Sequence, residues 1–116
     1  MPSRTASEQI IDEVSFWPGI RVEEGDDLGE TAFKLGNREL GHLHGDHAAH
    51  FSFPKSLWDQ LAEQDRITHH PVFPDRRGPA ARRIETDDDA RDVVELFRLV
   101  YDRAVSRRDS PAEAEA

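Results

Sequence analysis

The sequence predicts an α+β domain with a single antiparallel sheet of about five to six strands and with N- and C-terminal helices packed on one face. Two observations support this prediction. Apolar residues recur at period two through much of residues 20–53, as in half-buried strands. Segments with helical periodicity lie at both ends of the chain, over residues 5–17 and 86–104. Because the apolar face of a sheet must be covered, the terminal helices are its expected cover.

Both terminal helices begin at a recognisable capping pattern. Thr5 and Glu8 have the spacing of a capping box, and Pro18-Gly19 is expected to end the first helix. Thr86 precedes three aspartates in the first turn of the last helix, where the helix dipole favours negative charge. The apolar stripe of this last helix is Val93, Phe97, Val100, Tyr101 and Ala104.

The alternating residues predict an antiparallel meander of about four strands. Gly36-Asn37 is a two-residue hairpin signal, Gly45-Asp46 marks the next turn, and residues 25–29 break the chain after the first strand. The strands predicted between these turns are residues 20–23, 31–35, 38–44 and 49–53.

The segment after the meander is less regular. A short helix is expected from Pro54, which suits a first helical turn, to about Gln64. A strand within residues 67–72, an irregular loop over residues 71–80 and a short strand near residues 81–84 are expected to follow.

Composition limits the size and the partners of this domain. With 116 residues, 36% of them hydrophobic, the chain has enough apolar material for one core, which we assign to residues 1–108. The acidic tail, residues 109–116, is expected to be disordered. A net charge of −9 disfavours binding to nucleic acids and anionic membranes, which leaves a small molecule or a protein as the expected partner.

Residue usage also bears on the environment. The chain has 13 arginines and only two lysines, Lys34 and Lys55. This ratio suits either a salt-rich cytoplasm or a GC-rich genome. The absence of cysteine excludes disulfides and thiolate-ligated metals. No apolar run approaches the ~20 residues that span a bilayer, and no signal peptide is recognisable, so we expect a cytoplasmic protein.

The main candidate for chemistry is the segment over residues 41–50, which holds four of the six histidines. Strand geometry places His42 and His44 on one face, roughly 6.6 Å apart along the chain. Two imidazoles so placed could chelate a divalent metal, with Asp46 or His47 as a third ligand from the turn.

Three other interpretations of these histidines remain open. In one interpretation they simply lie on the wetter face of a strand whose Leu43 faces the core. In another they hydrogen-bond an organic ligand, or act as acid and base near neutral pH. The letters H-x-H-x-D-H also match metallo-β-lactamase-fold hydrolases, but those domains are longer and need further ligands downstream, where this chain has only His69 and His70.

An arginine-rich segment is the second candidate. Four arginines could hold a phosphate or a carboxylate, or they could neutralise neighbouring acidic side chains. They are Arg76, Arg77, Arg82 and Arg83. The common catalytic motifs are absent, among them G-x-S-x-G, the phosphate-binding glycine loop and H-E-x-x-H.

The chain resembles a known family in several motifs. Residues 33–46 read F-x-L-G-x-x-E-x-G-H-L-H-G-D, in which G-H-L-H-G-D is the most specific element. Phe53-Pro54, the H-x-x-x-P-D run over residues 70–75 and E-L-F-R-L-x-Y over residues 95–101 continue the pattern. These motifs are similar to those of the "luciferase domain" family of small bacterial, archaeal and fungal proteins, and they cover roughly residues 8–104.

The family name implies light-emitting oxidation. Relatives usually carry a Ser-Gly-Trp-Val strand after Pro-Asp, where this chain has residues 76–80, and His47 and His50 lie outside the family pattern. In layout the chain is more distantly similar to the MmcQ/YjbR proteins of frataxin-like fold, which are small antiparallel sheets with terminal helices on one face.

Three functional hypotheses follow. The first is a ligand- or partner-binding module whose pocket is formed by His42, His44, Asp46, His70 and Arg82. The second is a metal-dependent hydrolase or an oxidoreductase, with His42, His44 and Asp46 as ligands of a divalent metal. The third is an anion or nucleic-acid binder that acts through the arginine-rich segment. The sequence itself requires no cofactor.

Overall fold

The computed structural model describes residues 5–25 and 30–108, and within them the chain forms three helices and one six-stranded antiparallel sheet. The strand order is β1-β2-β3-β4-β6-β5. The helices are α1 (Ala6–Ser15), α2 (Lys55–Glu63) and α3 (Asp87–Arg108). The strands are β1 (Ile20–Glu24), β2 (Glu30–Leu35), β3 (Arg38–His44), β4 (Ala48–Ser52), β5 (Thr68–His69) and β6 (Pro79–Arg83). The predicted α+β class is confirmed.

The predicted caps hold both terminal helices. Thr5 and Glu8 form the capping box of α1, with Glu8 N–H 3.2 Å from Thr5 Oγ1 and Thr5 N–H 3.0 Å from Glu8 Oε1. At the start of α3, Asp89 N–H donates to Thr86 Oγ1 at 3.1 Å, and Thr86 N–H donates back to Asp89 at 3.1 Å. The helix starts are therefore encoded locally.

The core lies between the sheet and the terminal helices, which pack together on one of its faces. Phe97 of α3 is fully buried and meets Phe33 and Phe51 of the sheet at ring-centroid distances of 4.9 and 4.6 Å. Tyr101 donates a 2.7 Å hydrogen bond to the carbonyl of Pro18, which ties α3 to the α1–β1 connection. On the opposite face, His42 of β3 and His50 of β4 are partly buried and His44 is exposed.

A β-bulge interrupts β3. Its partners on β2 are Lys34 for Glu39 and Phe33 for Gly41, so Leu40 is an extra residue without a cross-strand partner. A Cβ at Gly41 would lie 2.5 Å from the carbonyl oxygen of His50 and 2.9 Å from Cε1 of Phe97, which leaves room for glycine alone. Because the bulge shifts the alternation by one, the side chains of Glu39 and His42 lie on the same face.

The boundaries after the meander differ from the prediction. β5 is limited to Thr68–His69, since Pro71 has no N–H with which to continue the ladder. β6 starts earlier than expected, at Pro79, which is tolerated because proline can occupy the first position of a strand. Pro54 is the N-cap of α2 and does not belong to its first turn. The predicted break at residues 26–29 and the tail at residues 109–116 lie outside the described residues.

The described helices also bear on membrane insertion. None of those within residues 5–25 and 30–108 has the length and apolar character needed to cross a bilayer.

Candidate metal centre

Three histidines meet on the face of the sheet opposite the terminal helices. His42 of β3 pairs with His50 of β4, and His44 lies two residues along β3. The ring centroids are 5.2 Å apart for His42 and His50, 4.8 Å for His42 and His44, and 4.3 Å for His44 and His50. The flanking residues in the same row, Ala32 and Ala81, are small and leave space for the rings.

The ring nitrogens are close enough to share one ion. One nitrogen from each histidine lies within 4.8 Å of the other two. The centre of such a triangle is at most about 2.8 Å from each nitrogen, whereas zinc–imidazole bonds are about 2.0–2.1 Å long. If each nitrogen moved less than about 1 Å toward the centre, all three would reach the distance of a zinc ligand.

His50 is a neutral ring, and one of its nitrogens has no hydrogen-bond partner. Burial, followed by the charges of His70, His44 and His42, lowers its pKa from 6.5 to about 4. Its Nδ1 is buried and has no hydrogen-bond partner. A buried nitrogen without a partner is costly in a folded protein, and a bound cation would relieve that cost.

Glu39 orients one of the three rings. Its Oε2 lies 3.2 Å from Nδ1 of His42, so Nδ1 donates a hydrogen bond to the carboxylate and Nε2 keeps a free lone pair. A carboxylate in this position fixes the tautomer of a ligand histidine and raises its basicity. The bulge at Leu40 is what places Glu39 on this face.

His70 lies beside the three histidines, and its ring can donate a hydrogen bond. Its ring lies 4.1 Å from that of His50, and its Nδ1 accepts the backbone N–H of Val72 at 3.1 Å. The proton of the neutral ring must therefore sit on Nε2. Burial, followed by His42 and His44, lowers the pKa of His70, which favours this neutral form.

A cleft of about 290 Å³ opens next to the cluster. Its lining combines polar and apolar side chains. It is lined by Glu39, Leu40, Gly41, His42, His50, Phe51, Ser52, His70, Phe73 and Pro79.

The structure brings together some of the residues that sequence reasoning singled out. His42 and His44 are neighbours, and His42 and His70 line the same cleft. Asp46 is directed elsewhere, because its carboxylate accepts the backbone N–H of Ser7 at 2.8 Å in the first turn of α1. The third histidine of the cluster is His50.

The arginine-rich segment does not form a common site. Arg82 donates to Asp89 at 2.6 Å and to the backbone carbonyl of Arg66 at 3.3 Å, so it joins β6 to α3 on the helix side. Arg77 pairs with Asp59 at 3.2 Å, and the Arg76 guanidinium lies over the Phe73 ring. Arg76, Arg77 and Arg82 therefore each contact a different neighbouring group.

The capping role of Asp46 leads to a prediction about stability. Asp46→Ala should cost about 1 kcal/mol of unfolding free energy at pH 7, the usual value for a lost N-terminal helix cap. Hydrogen bonds from the side chain and backbone of Ser7 lower the pKa of Asp46 below 3.8. Its contribution is therefore present above pH 3.8 and lost as the pH falls through the lower folded-state value.

Urea unfolding of wild type and variant at a series of pH values would measure this effect. The two curves should converge at acidic pH while zinc affinity at pH 7 stays equal. A loss of zinc affinity in Asp46→Ala would instead make Asp46 a ligand.

Comparisons with known proteins give a family. No curated protein and no solved structure matches the chain. A family model described as "Luciferase domain" matches residues 37–100, more than half of the chain, and this stretch contains His42, His44, His50 and His70. The resemblance seen in the sequence is thereby confirmed, and the chain belongs to the luciferase domain family.

Proposed function

We propose that this protein binds one divalent transition-metal ion through His42, His44 and His50, and that the ion binds a small molecule in the adjoining cleft. The observation that carries this proposal is the convergence of three ring nitrogens within 4.8 Å of one another. Imidazole ligands suit zinc, copper, iron and nickel, and zinc is the simplest candidate.

The number of ligands supports a binding role over a structural one. Structural zinc sites use four protein ligands, whereas sites that bind a substrate or activate water keep one position open. Among the described residues, the group that could hold an ion comprises three histidines and no carboxylate. A fourth position would face the cleft and be free for water or for a ligand.

The ion that binds decides between the two enzymatic alternatives. Zinc would polarise a ligand or activate a water molecule, as a hydrolase requires. Iron or copper would permit the oxidation chemistry that the family name suggests. The third hypothesis, anion binding by the arginine-rich segment, has less support because Arg77 and Arg82 are already paired with acidic side chains.

Metal analysis and calorimetry on protein prepared without an affinity tag would test the proposal. We expect one zinc ion per chain. Glu39→Gln should lower zinc affinity ten- to hundredfold, the usual effect of removing a carboxylate that orients a ligand histidine. Glu23→Gln is the matched control, since Glu23 pairs with Arg21 and Lys34 on the same face, away from the cluster.

Two outcomes would contradict the proposal. The first is the absence of stoichiometric binding of zinc, nickel, copper or iron. The second is an equal loss of affinity in Glu39→Gln and Glu23→Gln, which would indicate a general charge effect in place of a specific orientation of His42.

A further inference from the structure

We infer that the cleft selects a ligand with one aromatic ring and an anionic oxygen-donor head, such as a carboxylate or a hydroxamate. The head would bind the ion and the ring would lie along the apolar wall. This inference rests on the proposed metal site and adds the chemical class of its ligand.

The size of the cleft limits the ligand to a small molecule. A volume of about 290 Å³ lies just below the range for small-molecule pockets, which is about 300–1,000 Å³. One ring with a short polar head fits this space.

The wall of the cleft favours an aromatic ring. Phe73 is 38% exposed although it is held between the His70 ring at 5.5 Å and the Arg76 guanidinium at 5.3 Å. Hydrogen bonds from Phe73 N–H to the His70 carbonyl and from Arg76 N–H to the Phe73 carbonyl stiffen this loop. A partly exposed ring in a cleft that Leu40 and Pro79 also line provides a surface on which another ring can pack.

The charges of the cleft favour an anionic head bound to the ion. Neither lysine nor arginine lines the cleft, and Glu39 contributes a carboxylate to it. No cationic side chain among the lining residues would hold an anion, so an ion on the three imidazoles would supply the main positive charge. His70, whose Nε2–H is fixed by the Val72 contact, is an available donor to an oxygen of the head. Binding should accordingly depend strictly on the metal.

Calorimetry with two hydroxamates would test this inference. Zinc-loaded protein should bind benzohydroxamate about tenfold or more tightly than acetohydroxamate, and zinc-free protein should bind neither. Phe73→Ala should remove this preference and leave the affinities for zinc and for acetohydroxamate unchanged. Phe16→Ala is the control, because Phe16 is 86% exposed at the end of α1 and lines no part of the cleft.

The results separate this inference from the proposed function. Stoichiometric zinc binding with equal affinity for the two hydroxamates, or a preference that persists in Phe73→Ala, would overturn the inferred ligand class alone. Binding of benzohydroxamate without zinc would overturn it as well. A protein that binds no metal would overturn the proposed function.

Discussion

Replacing His50 by alanine is expected to lower zinc affinity at least about hundredfold, more than the loss of the orienting Glu39, because it removes one of three ligands. His47→Ala should leave the affinity unchanged. His47 lies in the turn of the same hairpin, is exposed and is outside the cluster. Both variants have one histidine fewer, so the comparison controls for nonspecific binding by imidazole.

Calorimetric titration measures the affinities, and thermal unfolding gives an independent readout. Zinc at a hundredfold excess over the wild-type Kd should raise the unfolding free energy of wild type and His47→Ala by about 2.7 kcal/mol, and that of His50→Ala by about 0.4 kcal/mol at most. Without metal, His50→Ala should fold stably, because it removes a buried nitrogen that has no partner. Equal losses of zinc affinity in the two variants would refute the assignment.

Gly41→Ala is expected to cost about 3 kcal/mol or more of unfolding free energy, at the upper end of the range for overpacked sites. The added methyl group would meet the carbonyl of His50 at 2.5 Å and the ring of Phe97 at 2.9 Å. The carbonyl belongs to β4 in the middle of the sheet and cannot move without breaking the ladder.

Gly36→Ala separates this clash from the ordinary effect of losing a glycine. Gly36 has a φ of 64° and open space around its Cβ position, so alanine there should cost only about 1–2 kcal/mol for the left-handed conformation. Denaturant unfolding monitored by circular dichroism would measure both values. A cost for Gly41→Ala no greater than that for Gly36→Ala would show that β3 can shift to accept a side chain.

Much of the fold could be predicted because its signals are local. The capping boxes at Thr5 and Thr86 depend on residues three positions apart. The meander follows from period-two alternation, and the Gly36-Asn37 turn joins β2 to β3 as expected. The ends of β5 and β6 were less predictable, since pairing between short strands depends on the rest of the sheet.

The sequence did not place His50 directly beside His42, because their pairing depends on the length of one turn. A two-residue turn at Gly45-Asp46 would pair His42 with Ala49. The observed turn has three residues, Gly45–His47, so that His44 pairs with Ala48 and His42 with His50. A shift of one position moves every side chain of a strand to the opposite face.

Glu39 and Asp46 illustrate two further limits of sequence reasoning. In a regular strand, Glu39 and His42 would point to opposite faces, and only the extra residue at Leu40 brings them together. A glycine within a strand hints at such a bulge but does not locate it. The contact of Asp46 with Ser7 joins residues 39 positions apart and depends on how α1 docks, which no local pattern records.

The three histidines lie on strands inside the sheet, whereas His70 and Phe73 lie beyond its edge strand. β3 and β4 have hydrogen-bonded neighbours on both sides, so their amides should be among the slowest to exchange with solvent, and the imidazoles should stay in place until the domain unfolds. His70 and Phe73 follow the two-residue edge strand β5, so local opening there should require less free energy than the opening of β3 and β4. Hydrogen exchange should therefore distinguish the strands that carry the three histidines from the cleft wall formed by residues 70–73.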